Sequence, residues 1–191
     1  MPEARPDVLD FLLTRRSRPA KTLGQDAPER AEIETLLTAA SRTPDHAKLV
    51  PWRFIVLTDA ARRTRLAELA TERMESMGLE PDKIEKNAKS FSYGGTIVVV
   101  VLCPVISEKI PPWEQEMAAG GVCLALLNAA LASGWGANWL TGPLCRDTEF
   151  LFKAFGLAPH ETIAGFLHLG NETVKPADRD RPDINAITEW S

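Results

Sequence analysis

Between Met117 and Cys145 the chain carries no charged residue. A stretch of that length must be hidden from water, either in a membrane or in a protein core. A bilayer span needs about 20 predominantly apolar residues in succession. This run instead mixes glycine, alanine, asparagine and serine, with glycines at 120, 121, 134, 136 and 142. Its end, "GWGANWLTGP", reads as a turn followed by a short strand. A buried helix from Trp113 to about Ser133, inside a soluble core, is therefore expected.

The rest of the chain supplies partners for such a helix. At 191 residues it is long enough for one domain with a full core, here expected over 1–191. "TIVVVVL" at 96–102 reads as a strand buried on both faces. "RFIVLT", "GANWLTG" and "ETIAGFLHLG" are three further strands. Helices are expected from Asp7, as cap, to Thr14 with Val8, Leu9, Leu12 and Leu13 as its apolar face. Others are expected from Asp26–Pro28 to Ser41 burying Ile33, Leu36, Leu37 and Ala40, from a Thr58 or Asp59 cap to Met77, near 82–91, and over "DTEFLFKAF" closed by Gly156. Helices mixed with a few strands indicate an α+β or α/β sandwich. The last twenty residues are polar and have no evident core of their own.

Composition and motifs exclude much. A net charge of −4 argues against nucleic acid as the main partner. "MPEARPDVLDFL" lacks a signal-peptide pattern. Cys103, Cys123 and Cys145 are odd in number, without CxxC spacing, and read as reduced thiols of a cytoplasmic protein. His46, His160 and His168 lie far apart and offer no metal-ligand spacing. GxSxG, P-loop and GxGxxG patterns are absent. What remains is anion recognition. "TRRSR" places Arg15, Arg16 and Ser17 at the end of a helix, where guanidinium forks suit a phosphate. "RTPDH" adds Arg42 and His46 on a proline-shaped loop, with Asp45 as a brace or cap.

Three segments in this order, "RRSR", "PDHAKLVPWRF" and "WEQEMAAGGVCLALLNAALASGWGANWLTG", resemble the nitroreductase family, especially its small single-domain members, over about residues 8–170. The resemblance implies an α+β sandwich with a mainly antiparallel sheet, a homodimer with FMN between subunits, and NADH or NADPH as reductant. Nitroaromatics, quinones or similar compounds would be the acceptors, in a ping-pong mechanism. The resemblance carries Arg15, Arg16 and Ser17 over to the phosphate and ribityl chain. It carries Arg42 and His46 over to a loop reaching the flavin of the partner. Trp139, Leu140 and Thr141 match the stretch over the isoalloxazine ring, with Gly142 beside N5, and 129–134 matches a nicotinamide segment. Lys175, Arg179 and Arg181 are open candidates for a further phosphate contact. The tail from about 171 to 191 is expected on the partner. No metal, no membrane and no catalytic side chain are implied. Leu140 departs from the pattern, since close relatives have a basic residue there, and "FSYGG" replaces a more proline-like lead into the central strand. Two alternatives stay open: a flavoenzyme of the same fold with a different task, such as dehydrogenation or dehalogenation, and a non-enzymatic flavin-binding dimer.

Overall fold

The computed structural model describes residues 1–191. In chain order it contains α1 (Pro6–Thr14), α2 (Arg30–Ala40), β1 (Trp52–Leu57), α3 (Ala60–Ser76), α4 (Pro81–Lys89), β2 (Thr96–Leu102), α5 (Pro112–Ala132), β3 (Gly136–Leu140), α6 (Thr148–Phe155) and β4 (Thr162–Gly170). The four strands form one antiparallel sheet in the order β1-β2-β4-β3. Every residue of β2 is buried, as its unbroken apolar run requires.

Strand alternation sorts the core into two halves. Ile97, Val99 and Val101 face α3, α4 and α6, where they meet Leu66, Met74, Ile84 and Phe150. Val98 and Val100 face α2 and α5, where they meet Leu36, Val122, Leu126 and Leu127. The sheet is thus the middle of three layers. Eight of the 21 residues of α5 are buried, among them Gln115, whose carboxamide accepts from the Val105 N–H and donates to the Val105 carbonyl at 2.8 and 2.9 Å. The helix, uncharged from Met117 onward, therefore packs into the core of its own subunit, with Trp113, Met117 and Leu124 left exposed.

Local chemistry sets the helix ends. Asp59 accepts from the Ala61 and Arg62 N–H groups and starts α3, and Gly156 closes α6 in the left-handed region at φ 66°. Two expectations need correction. The second helix begins at Arg30, later than Asp26–Pro28, because Glu29 and Glu32 form a reciprocal capping box there, and Leu37 is only half-buried. Asp7 does not cap the first helix. The helix starts at Pro6, which fits the first turn because it needs no N–H partner, and Asp7 pairs with Arg5 at 3.2 Å. No residue of α1 is fully buried within the chain, and Val8, Leu9, Leu12 and Leu13 remain 44 to 73% exposed.

One buried and one partly buried ionisable group make stability depend on acid. His168, on β4, is pushed down to about 4 by burial, and its Nδ1 lies 3.3 Å from the Tyr93 carbonyl. An unfolded histidine titrates near 6.5, so protons favour the unfolded chain as pH falls below that value. This contribution to stability is full above about 6.5, declines toward pH 4, and totals about 3 kcal/mol. Glu161 is held down at about 2, chiefly by the Arg53 guanidinium, which donates to both oxygens at 2.7 and 3.1 Å. Its contribution is present above its ordinary value of 4.5 and is lost as pH falls toward about 2. His168→Asn should flatten stability between pH 6.5 and 4 and leave the lower window intact. Urea unfolding across that range measures it, and an unchanged slope in the variant would exclude His168 as the cause.

Candidate functional site

The segment after α1 runs beside β3 and joins two clefts. The Arg18 N–H donates to the Ala137 carbonyl at 2.9 Å, and the Asn138 carboxamide donates to the Arg18 carbonyl at 2.6 Å. At one end lies a cleft of about 540 Å³ whose charged lining is Arg15, Arg16, Arg18, Glu172, Lys175 and Asp178. At the other lies a cleft of about 480 Å³, where Asn138, Leu140, Thr141 and Gly142 meet Phe91, Tyr93 and Phe166.

The first cleft is short of negative charge. Arg18 pairs with Glu172 and also donates to the Arg16 carbonyl. Arg181 pairs with Asp178 at 3.0 Å and lies 3.5 Å from the Arg15 carbonyl. Arg16 donates only to the carbonyls of Ser17 and Ala177. Arg15 has no acidic partner, and its Nε is buried without any hydrogen bond. Its pKa is lowered by burial first, then by Arg181 and Arg16. An orphaned donor among crowded cations suits a phosphate, which would both neutralise and hydrogen-bond them. Of the three open candidates, Lys175 lines this cleft and Arg181 sits against Arg15, while Arg179 does neither. Leu131 and Gly134, from the 129–134 segment, border the same cleft.

The second cleft has the walls for a flat ring. Leu140 and Thr141 form one side. The Gly142 N–H lies 3.3 Å from Cys145 Sγ, a weak acceptor. Trp139 occupies the opposite face of β3, toward α5. Its indole N–H donates to the Ala164 carbonyl at 3.2 Å, and its ring fills the space that a Cβ on Gly165 would need. Lys21, Lys83 and Lys86 surround this cleft together with Asn87. Lys83, Lys86 and Asn87, all on α4, were not legible as site residues, because "PDKIEKNAK" reads as a solvated helix face. They put cations in the cleft where Leu140 supplies none.

Arg42 and His46 line neither cleft. His46 Nδ1 lies 2.8 Å from Glu114 Oε2 in the first turn of α5, and Thr43 packs on Gly121, where a Cβ would come within 2.8 Å of its methyl group. The arginine cleft lies at the other end of α5, beside Leu131. Glu114 and Leu131 are 17 residues apart on that helix, or about 25 Å. Within the loop, Asp45 accepts the Val50 N–H at 2.8 Å, and Ala47, Lys48 and Val50 all have positive φ, from 48 to 58°. Backbone this strained persists where the surroundings fix it, and it clusters at functional sites. No group of residues that could hold a metal ion is present.

The chain as a whole is similar to known proteins. Residues 12–171 match the model of the Nitroreductase family. The chain is 33% identical over 169 residues, 88% of its length and 90% of the relative's, to the Escherichia coli K12 protein named "Putative NAD(P)H nitroreductase YdjA". Among solved structures it resembles a nitroreductase-like family protein from Bacillus cereus, with a TM-score of 0.80 at 21% identity, covering 100% of this chain and 99% of that one. It also resembles a nitroreductase with bound FMN from Bacteroides fragilis, with a TM-score of 0.72 at 19% identity, covering 97% and 99% of the two chains.

Proposed function

Because this chain belongs to the nitroreductase family, we propose that it is an FMN-dependent oxidoreductase that takes electrons from NADH or NADPH and delivers them to nitroaromatic, quinone or similar acceptors. The observation that carries this reading is the unsatisfied, buried Arg15 Nε among cations, at one end of a segment whose other end borders a ring-sized cleft. Arg15, Arg16, Ser17, Lys175 and Arg181 would hold the phosphate and ribityl chain. Leu140, Thr141 and Gly142 would flank the ring, with Trp139 buttressing β3 from behind. Bound FMN would supply the electron chemistry, accepting hydride and passing electrons on in turn, which is the ping-pong order. The protein need only bind, align and exclude water.

The same geometry supports a homodimer. Arg42 and His46 stand some helix length away from the arginine cleft of their own chain, so they would serve the flavin of a second copy. Four exposed apolar residues on α1 and the tail's Ile184, Ile187 and Trp190 would be covered in that homodimer. We place the enzyme in the cytoplasm, in keeping with three free thiols, two of them buried.

The test is spectroscopic. The purified protein should be yellow, and NADH or NADPH should bleach it anaerobically, with nitroaromatics or quinones restoring the colour. A colourless protein that binds no added FMN would end this reading. Flavin binding without bleaching would favour a passive binder. The loop makes a further prediction. His46 pairs with Glu114 and Asp45 accepts the Val50 N–H, so in this reading both shape the loop and neither donates a proton in the chemistry. With FMN saturating, His46→Ala should lower turnover partially and Asp45→Asn should leave it largely intact. Abolished flavin reduction in either folded, loaded variant would reopen acid–base chemistry for this loop.

A further inference from the structure

On the α3–α4 side of the sheet the chain buries a positive charge that no carboxylate neutralises. Arg63, near the start of α3, is 6% exposed. Its Nη1 donates to the Gly94 carbonyl at 2.6 Å and its Nη2 to Gln25 Oε1 at 3.4 Å, while its Nε is buried with no partner. Burial alone acts on its pKa, lowering it. The nearest helix-capping acid, Asp59, is already engaged by two backbone N–H groups of α3. His168, on the same face of the sheet, is held neutral by burial. A buried charge ordinarily requires a charged partner.

Arg63 lines a cleft of about 310 Å³ with Gln25, Thr64, Lys89 and Ser92. Lys89, the last residue of α4, brings a second cation. The hydroxyls of Thr64 and Ser92 are donated to the carbonyls of Ala60 and Lys89, so ligand recognition falls to the cationic side chains that line the cleft, Arg63 and Lys89. Past Lys89 the groove between α3 and α4 turns acidic at Glu68, Glu75 and Glu85, which repels an extended anion and admits a small one.

We propose that this cleft is a binding site for a small oxyanion, a carboxylate or a phosphate, held between Arg63 and Lys89. It is separate from both clefts of the candidate flavin site, although Phe91 contributes to this wall and to the ring-sized cleft. Such an anion completes the counter-ion set that the chain itself lacks.

The test uses FMN-saturated protein, so that the Arg15 cleft is occupied. Inorganic phosphate and acetate are titrated separately by calorimetry and thermal unfolding, against chloride at matched ionic strength. Saturable binding of one anion per chain is expected in at least one arm, and the responding arm identifies the chemistry. Lys89→Gln, an exposed and fold-neutral change, should weaken that binding about fivefold or more, as loss of one charge-assisted contact does. Arg63→Met should abolish it, with flavin content unchanged. If neither anion binds beyond chloride, or if Lys89→Gln binds as tightly as the parent, the proposal is overturned, and the Lys89 variant decides the matter even if Arg63→Met does not fold.

Discussion

Replacing Arg15 with alanine should lower the affinity for FMN by roughly tenfold to a hundredfold, because a charge-assisted contact contributes about 1.5–3 kcal/mol. The structure argues for the upper part of that range. Arg15 has no internal partner to fall back on, and its Nε is buried and unsatisfied in the free chain. The gain on binding is therefore not offset by a lost ion pair. Arg16 and Arg181 crowd it, so an arriving phosphate also relieves repulsion. Arg181→Ala should weaken FMN by a smaller factor, since Arg181 already pairs with Asp178 at 3.0 Å. Arg179→Ala should change affinity little, because Arg179 lines no part of the cleft. Fluorescence titration of apoprotein with FMN compares all three. Equal affinity in Arg15→Ala and the parent would show that the phosphate lies elsewhere.

The second large effect is on assembly. Leu9→Asp combined with Leu13→Asp should convert a tight dimer into monomers that bind flavin poorly. The reasoning begins with α1 itself. Nine residues make an unstable isolated helix in water, yet this one fully buries none of its residues against its own chain, Phe11 being half-buried. Val8, Leu9, Leu12 and Leu13 share one face at i, i+1, i+4 and i+5 and are 44 to 73% exposed. Burying a leucine contributes about 1.5–3 kcal/mol, and placing a carboxylate in that position adds a desolvation cost. Two such changes exceed what most dimers can lose. Sedimentation at micromolar concentration reads the state directly. A parent protein that is monomeric and fully loaded with flavin would refute the assembly, and a double variant that stays dimeric would move the interface away from α1.

Much of the architecture was legible because it is written in local pattern. The all-apolar run at 96–102 could only be an interior strand, and it is the second strand of the sheet. Asp59 and Gly156 mark helix ends by chemistry that needs no tertiary partner. The arginines at 15 and 16 suggested an anion site by residue type alone, and the fold puts both in one cleft. Other features misled for identifiable reasons. Asp7 looked like a cap, but proline at position 6 made a better first turn. The uncharged stretch, read as a buried helix in a soluble core, does meet its own sheet with most of its buried side chains, although lack of charge alone could not say which surface does the covering. Trp139, one step along the strand from Leu140, faces the opposite side, as strand alternation demands.

What the sequence determined by itself was therefore the set of elements, the three motifs in order and the residue types suited to a phosphate and a planar ring. Tertiary structure alone decided which side chains share a cleft. Lys83 and Lys86 sit on a helix indistinguishable from a solvated one until packing turns it toward Thr141. Arg63 belongs to a helix studded with charges, and only the fold buries it away from every carboxylate. The loop bearing Arg42 and His46 packs on Gly121 and Glu114 of α5, about 15 and 25 Å along the helix from Leu131 at the arginine cleft, which no spacing in the chain discloses. The physical reason is that helix and strand signals depend on neighbours a few residues away. Charge neutralisation, cleft shape and subunit contact depend on groups brought together from across the whole chain.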